Sequence, residues 1–130
     1  MAFVRRGFEA INRDGVEAFV GGMSSAFVWD ASSTGIPGLG LYRGPDEIRA
    51  FFADWFKVFP FEYWELEAEE LIDRGDQVIV KARQRGRGAG SGAAVEVSFA
   101  QVYTFCGGEP VRIDNYMTYD EALEAAGLRE

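Results

Sequence analysis

The sequence predicts an α+β fold, with helices covering one face of an antiparallel sheet. Three observations lead there. Apolar stripes of helical period lie before residue 60, four strand-like runs crowd residues 62–118, and one more helix signal closes the chain.

The first helix carries Val4, Gly7, Phe8 and Ile11 on one stripe, at the spacing of an amphipathic helix. Arg13-Asp14-Gly15 interrupts it, and Val16, Phe19, Val20 and Met23 repeat the spacing in a second, short helix weakened at its end by Gly21-Gly22. Residues 26–30 (AFVWD) read as a short strand. Residues 31–44 form a loop rich in Gly and Ser, with one short edge strand near 39–42. The third helix has the clearest signature. Pro45 stands at its first turn, Asp46 and Glu47 suit the positive end of its dipole, and Ile48, Phe51, Phe52, Trp55, Phe56 and Phe59 make one apolar stripe before Pro60 stops it. The strand-like runs cover 62–72, 77–85, 94–105 and 111–118, parted by Asp73-Arg74-Gly75-Asp76, a glycine-rich tip over 86–92, and Gly107-Gly108. Thr118 and Glu121 form a capping box for a last helix ending at Gly127. A length of 130 residues without repeats or a linker suits one domain over 1–130.

Composition excludes several function classes. A net charge of −8 argues against nucleic acid as a partner, because phosphate binding needs surplus Lys and Arg. The chain has no histidine and one cysteine, Cys106, which removes Ser-His-Asp and Cys-His catalysis, histidine-ligated metals and any intrachain disulfide. No metal or other cofactor is expected. No run approaches the length of a spanning helix, the first residues lack the apolar run of a signal peptide, and a lone thiol fits a reducing compartment, so no membrane partner and a cytoplasmic location are expected. The glycine-rich tip lacks the Gly-Lys-Ser/Thr ending of a phosphate loop.

Alternation along the strands selects an inward face. Val78, Val80, Ala82 and Gln84 suit an interior, whereas Ile79, Lys81, Arg83 and Arg85 suit solvent or an interface with the acidic residues Glu65, Glu67 and Glu69. In the next run Val95, Val97, Phe99, Gln101, Tyr103 and Phe105 are placed inward, and in the last run Val111, Ile113, Asn115 and Met117, with Tyr116 as the alternative. Asp30 is then placed inward, and Trp29 alternates to the other face, which leaves open whether it packs outside the interior. The expected pocket joins Phe52, Trp55, Phe56 and Phe59 of the third helix to Val80, Ala82, Val97, Phe99 and Met117, with Asp30, Tyr42, Gln84, Gln101 and Asn115 as its polar groups. Eleven phenylalanines can line such a wall or simply fill a core.

The stretches AINRDGVEAFVGGM, FVWDASSTGIPGLGLYRGPDEIRAFFADWF and VYTFCGGEPVRIDNYMTYDEALEAAGL resemble the nuclear-transport-factor-2-like superfamily over essentially the whole chain, and YRGPDEIRAFF and DNYMTYDEA look most like its SnoaL-like branch. The resemblance implies a strongly curved antiparallel sheet, three N-terminal helices on its concave face, a short C-terminal helix, a small-molecule pocket in the cone and a homodimer. It does not imply one reaction. Asp30 looks like the general base of ketosteroid isomerases. A carboxylate at an apolar rim would have a raised pKa and could move a proton beside a carbonyl, with Gln101 and Tyr42 orienting the substrate oxygen. The alternative for Asp30 is a cap on the Ser32-Ser33-Thr34 turn. Gln101 stands where that family has a protonated acid, and Gly7 where it has a tyrosine. Ala82, Gln84 and Asn115 stand where the epoxide-hydrolase branch needs an Asp-Arg-Asp relay. Gln84, Gln101 and Asn115 have the alternative of pairing inside the core. Three functions follow: an isomerase- or cyclase-type enzyme acting on an apolar carbonyl compound without metal, a non-catalytic binding protein for an apolar metabolite, or a dimerisation module.

Overall fold

The computed structural model of the chain describes residues 2–36 and 38–128. In order these form α1 (Ala2–Asp14), α2 (Val16–Val20), β1 (Val28–Asp30), a 3-10 turn (Ser32–Thr34), β2 (Leu41–Arg43), α3 (Gly44–Val58), a second 3-10 turn (Phe61–Tyr63), β3 (Glu65–Asp73), β4 (Gln77–Arg87), β5 (Ala94–Cys106), β6 (Glu109–Tyr116) and α4 (Tyr119–Ala125). The six strands make one curved, unclosed sheet in the order β2-β1-β6-β5-β4-β3. Every neighbouring pair is antiparallel except β1 with β6.

Local chemistry explains the element ends. α3 has Pro45 in its first turn, and Glu47 Oε1 accepts from the Arg43 backbone N–H at 2.8 Å. Gly44 must be glycine: its φ is +72°, and a Cβ there would sit 2.8 Å from the Ser25 carbonyl oxygen. The predicted strand over 62–72 starts later, at Glu65, because a 3-10 turn follows Pro60. At the last helix, the Glu121 N–H donates to Thr118 Oγ1 at 3.1 Å. Its far end closes with Leu128 N–H on the Leu123 carbonyl and Gly127 N–H on that of Glu124, the paired bonds of a glycine-terminated helix.

The sheet separates two apolar clusters. Val78, Val80, Ala82, Tyr103, Ile113 and Trp29 face α1–α3, whereas Ile79, Ala100 and Val102 face α4 on the other side, with Tyr116, Tyr119 and Leu123. Tyr116 therefore does not belong to the interior beneath the long helices. The basic row is paired within the chain, Arg83 with Glu69 and Glu96, and Arg85 with Glu65, Glu67 and Glu96. The glycine-rich tip is tied to the end of α3 by Ala89 N–H on the Val58 carbonyl, 2.8 Å.

α1 is docked along the edge strand rather than across the sheet centre. Asn12 completes the unpaired edge of β3 as a short strand would: Nδ2 donates to the Leu66 carbonyl at 2.7 Å and Oδ1 accepts its N–H at 2.8 Å. This placement leaves a gap between α1, α2 and the sheet.

Candidate functional site

The gap is a cavity of about 520 Å³, within the size range of small-molecule sites. Its inner wall is Phe8, Phe27, Trp29, Phe52, Tyr103 and Ile113, all buried. Its mouth is formed by Phe3, Arg6 and Gly7 of α1, by Gly21, Gly22 and Ser24 after α2, and by Gly108, Glu109 and Pro110 at the β5–β6 turn. Small residues create it. Gly7 lies on the inward stripe of α1, yet a Cβ there would meet no atom within 4 Å.

Two polar residues of β5 stand on the wall, Gln101 and Tyr103. Gln101 is 7% exposed, and its Oε1 accepts no hydrogen bond among the described residues. Tyr103, two residues along the same face of β5, also lines the cavity. Burial pushes the Tyr103 pKa well above the ordinary tyrosine value, so this hydroxyl stays neutral and available as a donor at neutral pH. Asn115 stands behind them. Its Oδ1 accepts from Trp29 Nε1 and from Gln101 Nε2, both at 3.0 Å.

Of the residues expected in the site, Gln101 and Phe52 line this cavity and Asn115 supports it; the others lie elsewhere. Asp30 is on the opposite face of β1, because Trp29 is the buried residue of that strand. The large indole gains more from burial than any alternative, and its inward turn sends Asp30 outward. The Asp30 carboxylate instead caps the Ser32 turn, accepting from the Ser32 N–H at 3.0 Å and from its hydroxyl, and pairs with Arg112 at 3.1 Å. The Ser32 hydroxyl bond, with the Ser32 N–H and Arg112 adding to it, holds the Asp30 pKa below the usual aspartate value. Both the inward placement and the raised pKa are thus overturned.

Beyond Phe52, the stripe of α3 fills space instead of enclosing it. Phe56 packs on Phe52, Phe61 and Trp64 with ring centroids 5.5, 5.4 and 5.2 Å apart, and Trp55 packs on Phe59 at 5.0 Å. Gln84 Oε1 is used there, accepting from Trp55 Nε1 at 3.0 Å and from Trp64 Nε1. Val80 is fully buried in the same core, Val97 and Phe99 are half-buried, and Met117 is exposed beyond the end of β6. Tyr42 closes its own loop, its hydroxyl donating to the Gly38 carbonyl at 3.2 Å while its ring packs on Trp29.

Sequence reasoning missed Tyr103, Phe8 and Trp29 as site residues. The signal for Tyr103 was present, since alternation puts it on the face of Gln101. Among the described residues no cluster could hold a metal, and no helix is long and apolar enough to cross a membrane.

Comparison with known proteins agrees with this architecture. The chain is similar to a nuclear-transport-factor-2-like protein of unknown function from Burkholderia pseudomallei, with 22% identity, a TM-score of 0.74, and coverage of 95% of this chain and 94% of that one. It is similar to a hypothetical protein with a ketosteroid-isomerase-like fold from Catenulispora acidiphila, in complex with trimethylamine, with 16% identity, a TM-score of 0.73, and coverage of 97% and 92%. It is also similar to a candidate SnoaL-like polyketide cyclase from Jannaschia sp., with 20% identity, a TM-score of 0.69, and coverage of 98% and 90%. At these identities the likenesses establish the fold alone. No curated protein matches the chain. The SnoaL-like domain profile matches residues 4–113, and on that match, with the fold and cavity above, the chain belongs to the SnoaL-like domain family.

Proposed function

We propose that the chain binds a small, largely apolar molecule in the cavity between α1, α2 and the sheet. One observation carries the reading: an apolar hollow of about 520 Å³ lined in part by Gln101, whose buried Oε1 has no protein partner among the described residues. Buried polar groups are nearly always paired, and leaving one unpaired costs about 1–3 kcal/mol. A ligand supplies the missing partner. A SnoaL-like domain is a setting in which small molecules bind, and the similar polyketide-cyclase structure is compatible with that use.

A proton-transfer role with Asp30 as base is not supported, because that carboxylate lies on the other face of β1, already paired with Ser32 and Arg112. Among the described residues, Glu109 is the one acid lining the cavity, and it is exposed at the mouth. Binding is therefore the better reading than isomerase- or cyclase-type catalysis.

The test is calorimetric titration with 2-naphthol, a bicyclic aromatic alcohol. The wild type is expected to bind it saturably, one per chain. Gly7→Leu, which puts a side chain into the mouth, is expected to weaken binding at least about tenfold while keeping the circular dichroism of the fold. Saturable binding that Gly7→Leu leaves untouched would place the site elsewhere, and no saturable binding would defeat the proposal.

A further inference from the structure

The hydrogen-bond polarity of the cavity wall is set from behind. Indole Nε1 can only donate. At 3.0 Å from Trp29 Nε1, the Asn115 amide must therefore present its oxygen, since its NH2 group would set two donors face to face. That same oxygen is 3.0 Å from the Gln101 amide. Gln101 must then direct Nε2 at Asn115, which leaves Oε1 as its unpartnered atom. Sequence reasoning gave Gln101 the opposite task, donating to a substrate oxygen. The indole reverses it through one intervening amide.

We infer that Trp29, acting through Asn115, fixes Gln101 as a hydrogen-bond acceptor, and that the cavity consequently selects ligands bearing a hydroxyl or N–H donor, such as a phenol or enol, over ligands of the same shape that only accept. This deepens the proposed binding function and rests on it. Tyr103 complements the choice: its neutral hydroxyl donates to the oxygen of such a ligand while the ligand's own proton goes to Gln101 Oε1. A phenolic oxygen satisfies both groups. An ether oxygen satisfies Tyr103 and leaves Gln101 buried and unpaired. Trp29 and Asn115 are positioning residues in this scheme, and Gln101 is the contact.

The experiment compares 2-naphthol with 2-methoxynaphthalene by calorimetry on the full chain. The wild type is expected to bind the alcohol about tenfold or more tighter. Gln101→Leu is expected to erase the preference, the two ligands then binding alike. Trp29→Phe removes the indole N–H, frees both amides to turn, and is expected to cut the preference by more than half on a logarithmic scale. Should Trp29→Phe fail to fold, Asn115→Leu tests the same link, because it also releases Gln101 Nε2. Equal binding of the two ligands by the wild type overturns the donor selection but leaves the cavity as a binding site. Binding of neither overturns the proposed function itself. A full preference persisting in folded Trp29→Phe or Asn115→Leu protein overturns the relay.

Discussion

The two ends of the sheet's concave face are both rich in aromatic rings, yet one is solid and the other hollow. Under α3, Phe52, Phe56, Phe61 and Trp64 interlock through edge and stacked contacts, and the one amide among them, Gln84, is satisfied by two indoles. Under α1 and α2, Phe8, Phe27, Trp29 and Tyr103 line a cavity edged by Gly7, Gly21 and Gly22, and the amide among them is left with a free oxygen. Rings alone therefore do not make a pocket. What makes one here is the absence of side chains at Gly7 on α1 and at Gly21-Gly22 after α2, together with the docking of α1 onto the sheet edge through Asn12. On the proposed binding function, the unsatisfied amide marks the end at which a ligand would complete the structure.

The largest test of this contrast is at the solid end. Trp64→Ala removes a ring in contact with Phe52, Phe56 and Phe61, and is expected to cost about 3–5 kcal/mol in urea unfolding. If that end were loosely packed and ligand-sized, the loss would be far smaller. Next, Gln84→Leu strips the acceptor from two indole N–H groups and is expected to cost about 1–3 kcal/mol, with no change in 2-naphthol affinity.

Asp30 lies at neither end. Asp30→Asn is expected to leave 2-naphthol binding unchanged and to cost about 1–2 kcal/mol near neutral pH, from the weakened Ser32 turn and the lost Arg112 pair. The folded-state pKa is lowered from the aspartate value of 3.8, so the contribution is fully present above that value and is lost as pH falls through the lower folded one. The gap between wild type and Asp30→Asn should accordingly close below about pH 4 in acid-unfolding curves. The smallest effect belongs to the hollow end. Gly7→Ala is expected to raise stability by about 0.5–1 kcal/mol, since alanine favours the helix and its Cβ meets nothing. A destabilised Gly7→Ala would show that the space there is already filled.

The fold was legible because its signals were local: the stripe and proline stops of α3, the turn residues between strands, and the Thr118–Glu121 cap each act within a few residues. The site was not, and the error traces to β1. In three residues of strand, Val28–Asp30, alternation offers two faces with equal local logic, and only the long-range partners decide. Trp29 pairs in register with Ile113, faces the interior and reaches Asn115, so Asp30 faces out. The role of Gly7 was also hidden, because a glycine on an apolar helix stripe shows a missing side chain but not whether its neighbours close over the space. Gln101 and Asn115 were found as buried amides, whereas the direction of their hydrogen bonds depends on Trp29, 86 residues before Asn115.

The most direct test of where the ligand sits is a crystal structure of the chain soaked with 6-bromo-2-naphthol, read through the anomalous signal of bromine. The expected peak lies in contact with Phe8, Trp29 or Tyr103, inside the cavity between α1, α2 and the sheet. A peak beside Phe56 and Phe99, beneath α3, would contradict the assignment of the hollow end as the binding site.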